Sequence, residues 1–211
     1  VFYLKFNQQR EATPLQNANI RKALAMAFDK QAYADVVLQN GSIPANGLVP
    51  EKLALDPSTG EDYREQNGDL LTFNAEEAKT YFEKGLAELG VESITLELLS
   101  DDTENAKRSS EFLQSQLQTN LPGLTVTLRN VPFKVRLEAD TAGEYDISLS
   151  GWGADYADPI NFLELFQTEN GNNKSGYSNA EYDALIDEAR TNVTDLDARW
   201  ASLLAAEKIL M

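Results

Sequence analysis

Residues 93–150 read SITLELLSDDTENAKRSSEFLQSQLQTNLPGLTVTLRNVPFKVRLEADTAGEYDISLS, and this stretch decides the fold class. "SITLELLS" (93–100), "LTVTLRNV" (124–131) and "YDISLS" (145–150) have the short apolar or alternating pattern of strands. Residues 106–119 and "FKVRLEADTA" (133–142) read as helices. The order is β-α-β-α-β, and crossover helices of this length imply parallel strands with right-handed connections. The expectation is an α/β fold: a mainly parallel sheet in three layers with flanking helices.

Working outward, Ile20, Ala23, Leu24, Ala27 and Phe28 follow the spacing of an amphipathic helix entered through Asn17 or Asn19. Residues 42–71 are irregular and rich in Pro, Gly, Asp and Asn, which we read as a packed wrap around a helix. Asn74 with Glu77 forms a capping-box pattern ahead of Ala78, Tyr81, Phe82, Leu86 and Leu89, with Gly90 as the stop. Ser178 with Glu181 opens a helix carrying Tyr182, Leu185, Ile186 and Ala189. Thr194 opens the last one, with Leu196, Trp200, Leu203 and Leu204 on its apolar side. No repeat or linker interrupts the chain, so residues 1–211 read as one α/β domain. Val1 falls inside the alternating "VFYLKF", where Phe2, Leu4 and Phe6 share a face. The closing "LLAAEKILM" still brings apolar residues at helical spacing. We therefore expect a piece of a longer chain.

Composition narrows the chemistry. Of 211 residues 34 are acidic and 18 basic, a net charge of −16 that repels phosphate backbones and anionic lipid, so nucleic acid and membrane surfaces are not expected partners. There is no cysteine and no histidine, which removes Cys and Ser-His nucleophile systems, zinc fingers and Fe–S clusters from these residues. No cofactor is expected, and no apolar run approaches the ~20 residues of a membrane span.

The densest chemistry is the turn after the last strand, "GWGADYADPINF" (151–162). In open parallel sheets ligands bind beyond the carboxyl ends of the strands. Gly151 and Gly153 allow close approach of a ligand to the backbone, and Trp152 and Tyr156 offer flat walls with one polar handle each. Asp155 is the candidate for a cation, because a carboxylate beside partly apolar walls pairs more strongly with an ammonium than in water. Trp152 can equally be a core ring at a tight bend. Asp158-Pro159 reads as a helix start, with Asp158 as N-cap. Asp155 with Asp158 is weak evidence for a calcium site or a glycosidase pair.

The order "NANIRKALAMAFDKQAYADVVLQNGSIPANGLVP", then "YDISLSGWGADYADPINFLELF", then "NGNNKSGYSNAEYDALIDEA" resembles the second lobe of the bacterial family 5 solute-binding proteins, the oligopeptide- and dipeptide-binding components of ABC importers. The resemblance spans nearly the whole chain. It implies one lobe of a two-lobed, type II periplasmic-binding-protein-like receptor, extracytoplasmic in the periplasm or on the surface as a lipoprotein. It implies a monomer that captures peptides for membrane permease subunits and is not an enzyme. By the same resemblance Asp155 takes the peptide's α-ammonium, and Gly151, Trp152 and Gly153 line the same site; Tyr156 joins them as a candidate from the residue reading alone. Some members carry a basic residue on the strand before the turn to receive a short peptide's carboxylate; here Leu149 stands there. The family also includes binders of nickel complexes, haem and oligosaccharides, which keeps a non-peptide ligand as the alternative. A carboxylate-pair hydrolase is the remaining one.

Overall fold

The computed structural model describes all residues from 1 to 211. In chain order the elements are β1 (Phe2–Phe6), α1 (Ala18–Met26), α2 (Lys30–Ala32) running into a π-helical segment Tyr33–Leu38, α3 (Tyr63–Asn67), α4 (Ala75–Leu89), β2 (Ile94–Asp101), α5 (Glu104–Asn120), β3 (Leu124–Val131), α6 (Phe133–Ala142), β4 (Ile147–Gly151), α7 (Ile160–Leu163), α8 (Ala180–Thr191) and α9 (Leu196–Leu210). They form two compact units. One consists of Phe2–Pro44 and Thr72–Ser150, the other of Val1, Ala45–Leu71 and Gly151–Met211.

The first unit is built on a four-stranded sheet in the order β1-β4-β2-β3. Strand β2 is parallel to both β3 and β4, as the β-α-β-α-β reading requires. Strand β1 runs antiparallel to β4, since backbone bonds join Val1 to Trp152 at one end and Asn7 to Asp146 at the other. Side chains alternate across β2. Ile94, Leu96 and Leu98 face a core shared with Ile20, Ala23 and Leu24 of α1, Phe82 of α4 and Leu117 of α5, whereas Leu99 packs with Ala139 of α6 and Tyr145. The sheet thus has helices on both faces. Each fully buried Leu or Phe of that core contributes about 1.5–3 kcal/mol by leaving water. Leu4 and Phe6 pack on the core as expected, while Phe2 is exposed.

Helix starts follow the sequence closely. Asn17 accepts from the backbone of Asn19 and Ile20, Asn74 from Glu77, and Gly90 closes α4 in the left-handed region. Leu89, expected on the buried stripe, is exposed at that end.

Helix α6 has the expected bounds but an inverted face. Arg136 and Asp140 are buried, and Phe133, Val135 and Leu137 are exposed. The buried charges are matched: Arg136 Nε lies 2.8 Å from Asp101 and Lys5 Nζ lies 2.5 Å from Asp140. Burial, reinforced by the Asp140 charge, pushes the Tyr3 phenol up to about 12.

In the second unit, α8 and α9 pack together and residues 45–71 wrap on α9, as the sequence reading had it. The wrap is held by Glu207 of α9, which is fully buried. Its carboxylate accepts from the backbone N–H of Leu48 (2.7 Å) and Val49 (2.9 Å), from both terminal nitrogens of Arg64 (2.7 and 3.0 Å) and from Asn67 Nδ2 (2.6 Å). Tyr63 donates its hydroxyl to the carbonyl of Leu203 and packs edge-on against Trp200. Burial drives the Tyr63 and Tyr182 phenols far above their ordinary range, with the Glu207 charge adding to the shift.

Two caps differ by one position from the sequence reading. Asn179, not Ser178, accepts from Glu181 and Tyr182, and Asp195, not Thr194, accepts from Ala198. In each case neighbouring residues are both able to cap, and the path of the incoming loop selects the second. Leu196, expected on the apolar side of α9, is half exposed.

Candidate functional site

The turn 151–159 belongs to the second unit. Trp152 leaves the sheet with its backbone N–H on the carbonyl of Val1 (2.8 Å), and from there the chain is irregular to α7. What shapes the turn is Asn161. Its Oδ1 accepts from the indole N–H of Trp152 (3.0 Å) and from the backbone N–H of Asp155 (3.2 Å), and its side chain is buried. Asn161 was not among the residues read from sequence. The available signal was a single amide inside the apolar run Ile160–Leu163.

Asp155 is exposed, and no protein group pairs with its carboxylate. Tyr156 is half exposed, and its hydroxyl donates to Glu164 Oε1 at 3.3 Å; Glu164 in turn pairs with Arg190. Both ring handles read from sequence are therefore occupied inside the protein. Trp152 is half buried, neither a core ring nor a free wall. Gly151 and Gly153 are exposed. A Cβ at Gly153 would meet nothing within 4 Å, and its φ lies outside the left-handed region, so nothing in the chain itself demands glycine there.

Pro159 and not Asp158 stands at the N-cap position of α7, one residue later than the sequence context implied, but Asp158 still serves the helix start: its Oδ1 accepts from the backbone N–H of Ile160 (3.0 Å). It also pairs with Arg199 of α9 at 2.9 Å, a partner that spacing could not reveal. The two aspartates of the turn are thus different in kind, Asp158 structural and Asp155 free. A cleft of about 520 Å³ lies beside the end of the turn, lined by Ala157, Asp158 and Pro159 together with Leu53, Leu55 and Arg199; none of the five candidate residues lines it. No group of three or more His, Cys, Asp or Glu side chains is placed to hold a metal.

Residues 1–174 match the family described as bacterial extracellular solute-binding proteins, family 5 Middle. The chain belongs to that family. The dipeptide-binding protein DppE of Bacillus subtilis (strain 168) is 37% identical over 212 residues, covering 100% of this chain and 38% of the relative. Among solved structures, a peptide-binding protein of a peptide ABC transporter superposes with a TM-score of 0.96 at 41% identity, covering 99% of this chain and 92% of the other. Listeria monocytogenes OppA bound to peptide superposes at 0.93 with 53% identity, covering 99% of this chain and 40% of that one. This family 5 chain therefore spans about two fifths of the length of the curated relatives it matches. It shares the mixed α/β architecture of these receptors, and no helix is long and apolar enough to cross a membrane.

Proposed function

We propose that the 211 residues act together as one ligand-binding lobe of a two-lobed receptor that captures peptides outside the cytoplasm for an ABC importer, without catalysis. The receptor works as a monomer, free in the periplasm or anchored as a lipoprotein, and hands its ligand to the membrane permease subunits. The observation that carries this reading is the state of the turn: Asp155 has an exposed, unpaired carboxylate while Trp152, Tyr156 and Asp158 are committed to partners within the protein. A free carboxylate beside half-buried rings, with open backbone at Gly151 and Gly153, suits a peptide's α-ammonium and its first peptide groups. The open space at Gly153 supports this, because a glycine that the chain does not need leaves room for a ligand. The peptide-binding relatives make the same ligand class the economical one.

Calorimetric titration of the full-length receptor with short alanine peptides tests this reading; absence of binding across tri- to pentapeptides would contradict it. A finer expectation concerns the peptide's other end. Leu149 packs against the apolar core of the sheet, so β4 offers no cation to a terminal carboxylate. Trialanine and its C-terminal amide should bind within about threefold of each other, since no charge-assisted bond worth about 1.5–3 kcal/mol is lost on amidation. A preference of tenfold or more for the free acid would show that the carboxylate is read.

A further inference from the structure

We propose that Asn161 is a positioning residue for ligand capture, acting through Asp155; this rests on the ammonium reading above. Asn161 is 3% exposed and sits among Ile160, Phe162 and Leu163, all buried. An amide in such surroundings is costly unless its polar atoms are matched. The partners it has are both in the turn, the indole N–H of Trp152 and the backbone N–H of Asp155. Both are donors, so the atom that receives them is the carbonyl oxygen, and the orientation of the amide is fixed by chemistry.

One buried oxygen thereby ties together the ring and the backbone on either side of Gly153 and Ala154. The Asp155 carboxylate has no protein partner of its own. Its place is therefore set by the backbone, and the backbone at Asp155 is held by Asn161. Without that oxygen both N–H groups turn to water and the exposed turn regains its conformational freedom. Pairing with an ammonium then has to order the turn as well as the ligand. A residue that only filled the helix start would affect all ligands alike, whereas a positioning residue affects those that engage Asp155.

The test uses the full-length receptor with tetraalanine and N-acetyl-tetraalanine as probes, read by calorimetry. In the wild type the free-amine peptide should bind at least about thirtyfold more tightly than the acetylated one, the lower bound for breaking a desolvated charge pair. Asn161→Leu, close in volume but without the acceptor, should weaken tetraalanine about tenfold, the worth of two hydrogen bonds, and leave the acetylated peptide within about threefold. Asn161→Asp keeps an acceptor for both donors and should restore most of the discrimination. In an Asp155→Asn background Asn161→Leu should add almost nothing, as expected for two residues acting through one contact. Should the Leu variant fail to fold, Asn161→Ser carries the same expectation, its hydroxyl being too short to reach either donor. Equal weakening of both peptides by Asn161→Leu, or unchanged discrimination, overturns the positioning role and leaves the ammonium reading standing. A wild type that binds both peptides alike overturns the ammonium reading and the positioning role with it.

Discussion

Once the two proposed lobes enclose the ligand and take the pair out of water, Asp155→Asn in the full-length receptor is expected to weaken binding of free-amine peptides by about 2–5 kcal/mol, the range found when one partner of a buried charge pair is removed and the other is left uncompensated. The stability of the unliganded protein should hardly change, because the Asp155 side chain is exposed and bonded to nothing that the substitution removes. Asp158→Asn is the informative contrast. Asparagine still accepts from the Ile160 N–H at the start of α7, but the ion pair with Arg199 at 2.9 Å is lost, so melting temperature should fall modestly while affinity changes little. A result in which Asp158→Asn costs more affinity than Asp155→Asn would mean that the wrong carboxylate has been assigned to the ligand.

The largest stability effect is expected at Glu207. Its carboxylate collects five hydrogen bonds in a fully buried place, from Leu48, Val49, Arg64 twice and Asn67. Glu207→Ala leaves the Arg64 guanidinium buried without its counter-charge and strands two backbone N–H groups, a loss of about 3–5 kcal/mol. Against a total stability of about 5–15 kcal/mol, this is enough to threaten folding. Gly47→Ala should cost less, for a steric reason. A Cβ there would fall 1.7 Å from Arg64 Nη1, so the guanidinium has to shift and its bonds to Glu207 are disturbed, while Leu48, Val49 and Asn67 still hold the carboxylate. Urea unfolding of the two variants decides the matter; a loss below about 1 kcal/mol for Glu207→Ala would mean that the buried pair is no better than an apolar replacement.

How much of this was visible beforehand depends on where the deciding partner lies. The β-α-β-α-β order was legible because each strand and helix carries its own periodicity, and Asn17, Asn74, Gly90 and Asp158 act within a few residues of themselves. The inversion of α6 was not legible. Arg136 and Asp140 can be buried only because Asp101 and Lys5 meet them there, and those residues lie on other strands. Glu207 is the same case across more than a hundred residues: a lone acid near the end of an apolar helix gives no hint that Arg64 and the Leu48–Val49 backbone converge on it. In the turn, Asp155 was proposed from its neighbours in sequence, and the structure leaves its side chain exposed. The commitments of Trp152 to Asn161 and of Tyr156 to Glu164 could come only from the folded geometry.

Those two commitments bear on the conditions under which the proposed pairing can form. With the indole N–H on Asn161 and the phenol on Glu164, the turn has its charge and its exposed backbone left over, so on the proposed reading the ligand's protonation state should matter more than its side chains. A peptide's α-amino group loses its proton near pH 8. Above that, each further pH unit removes about nine tenths of the form that can pair with Asp155, so affinity for tetraalanine should fall close to tenfold per unit while that for the acetylated peptide stays flat. On the proposed reading, alkaline surroundings would defeat capture by titrating the ligand, with the turn itself unchanged.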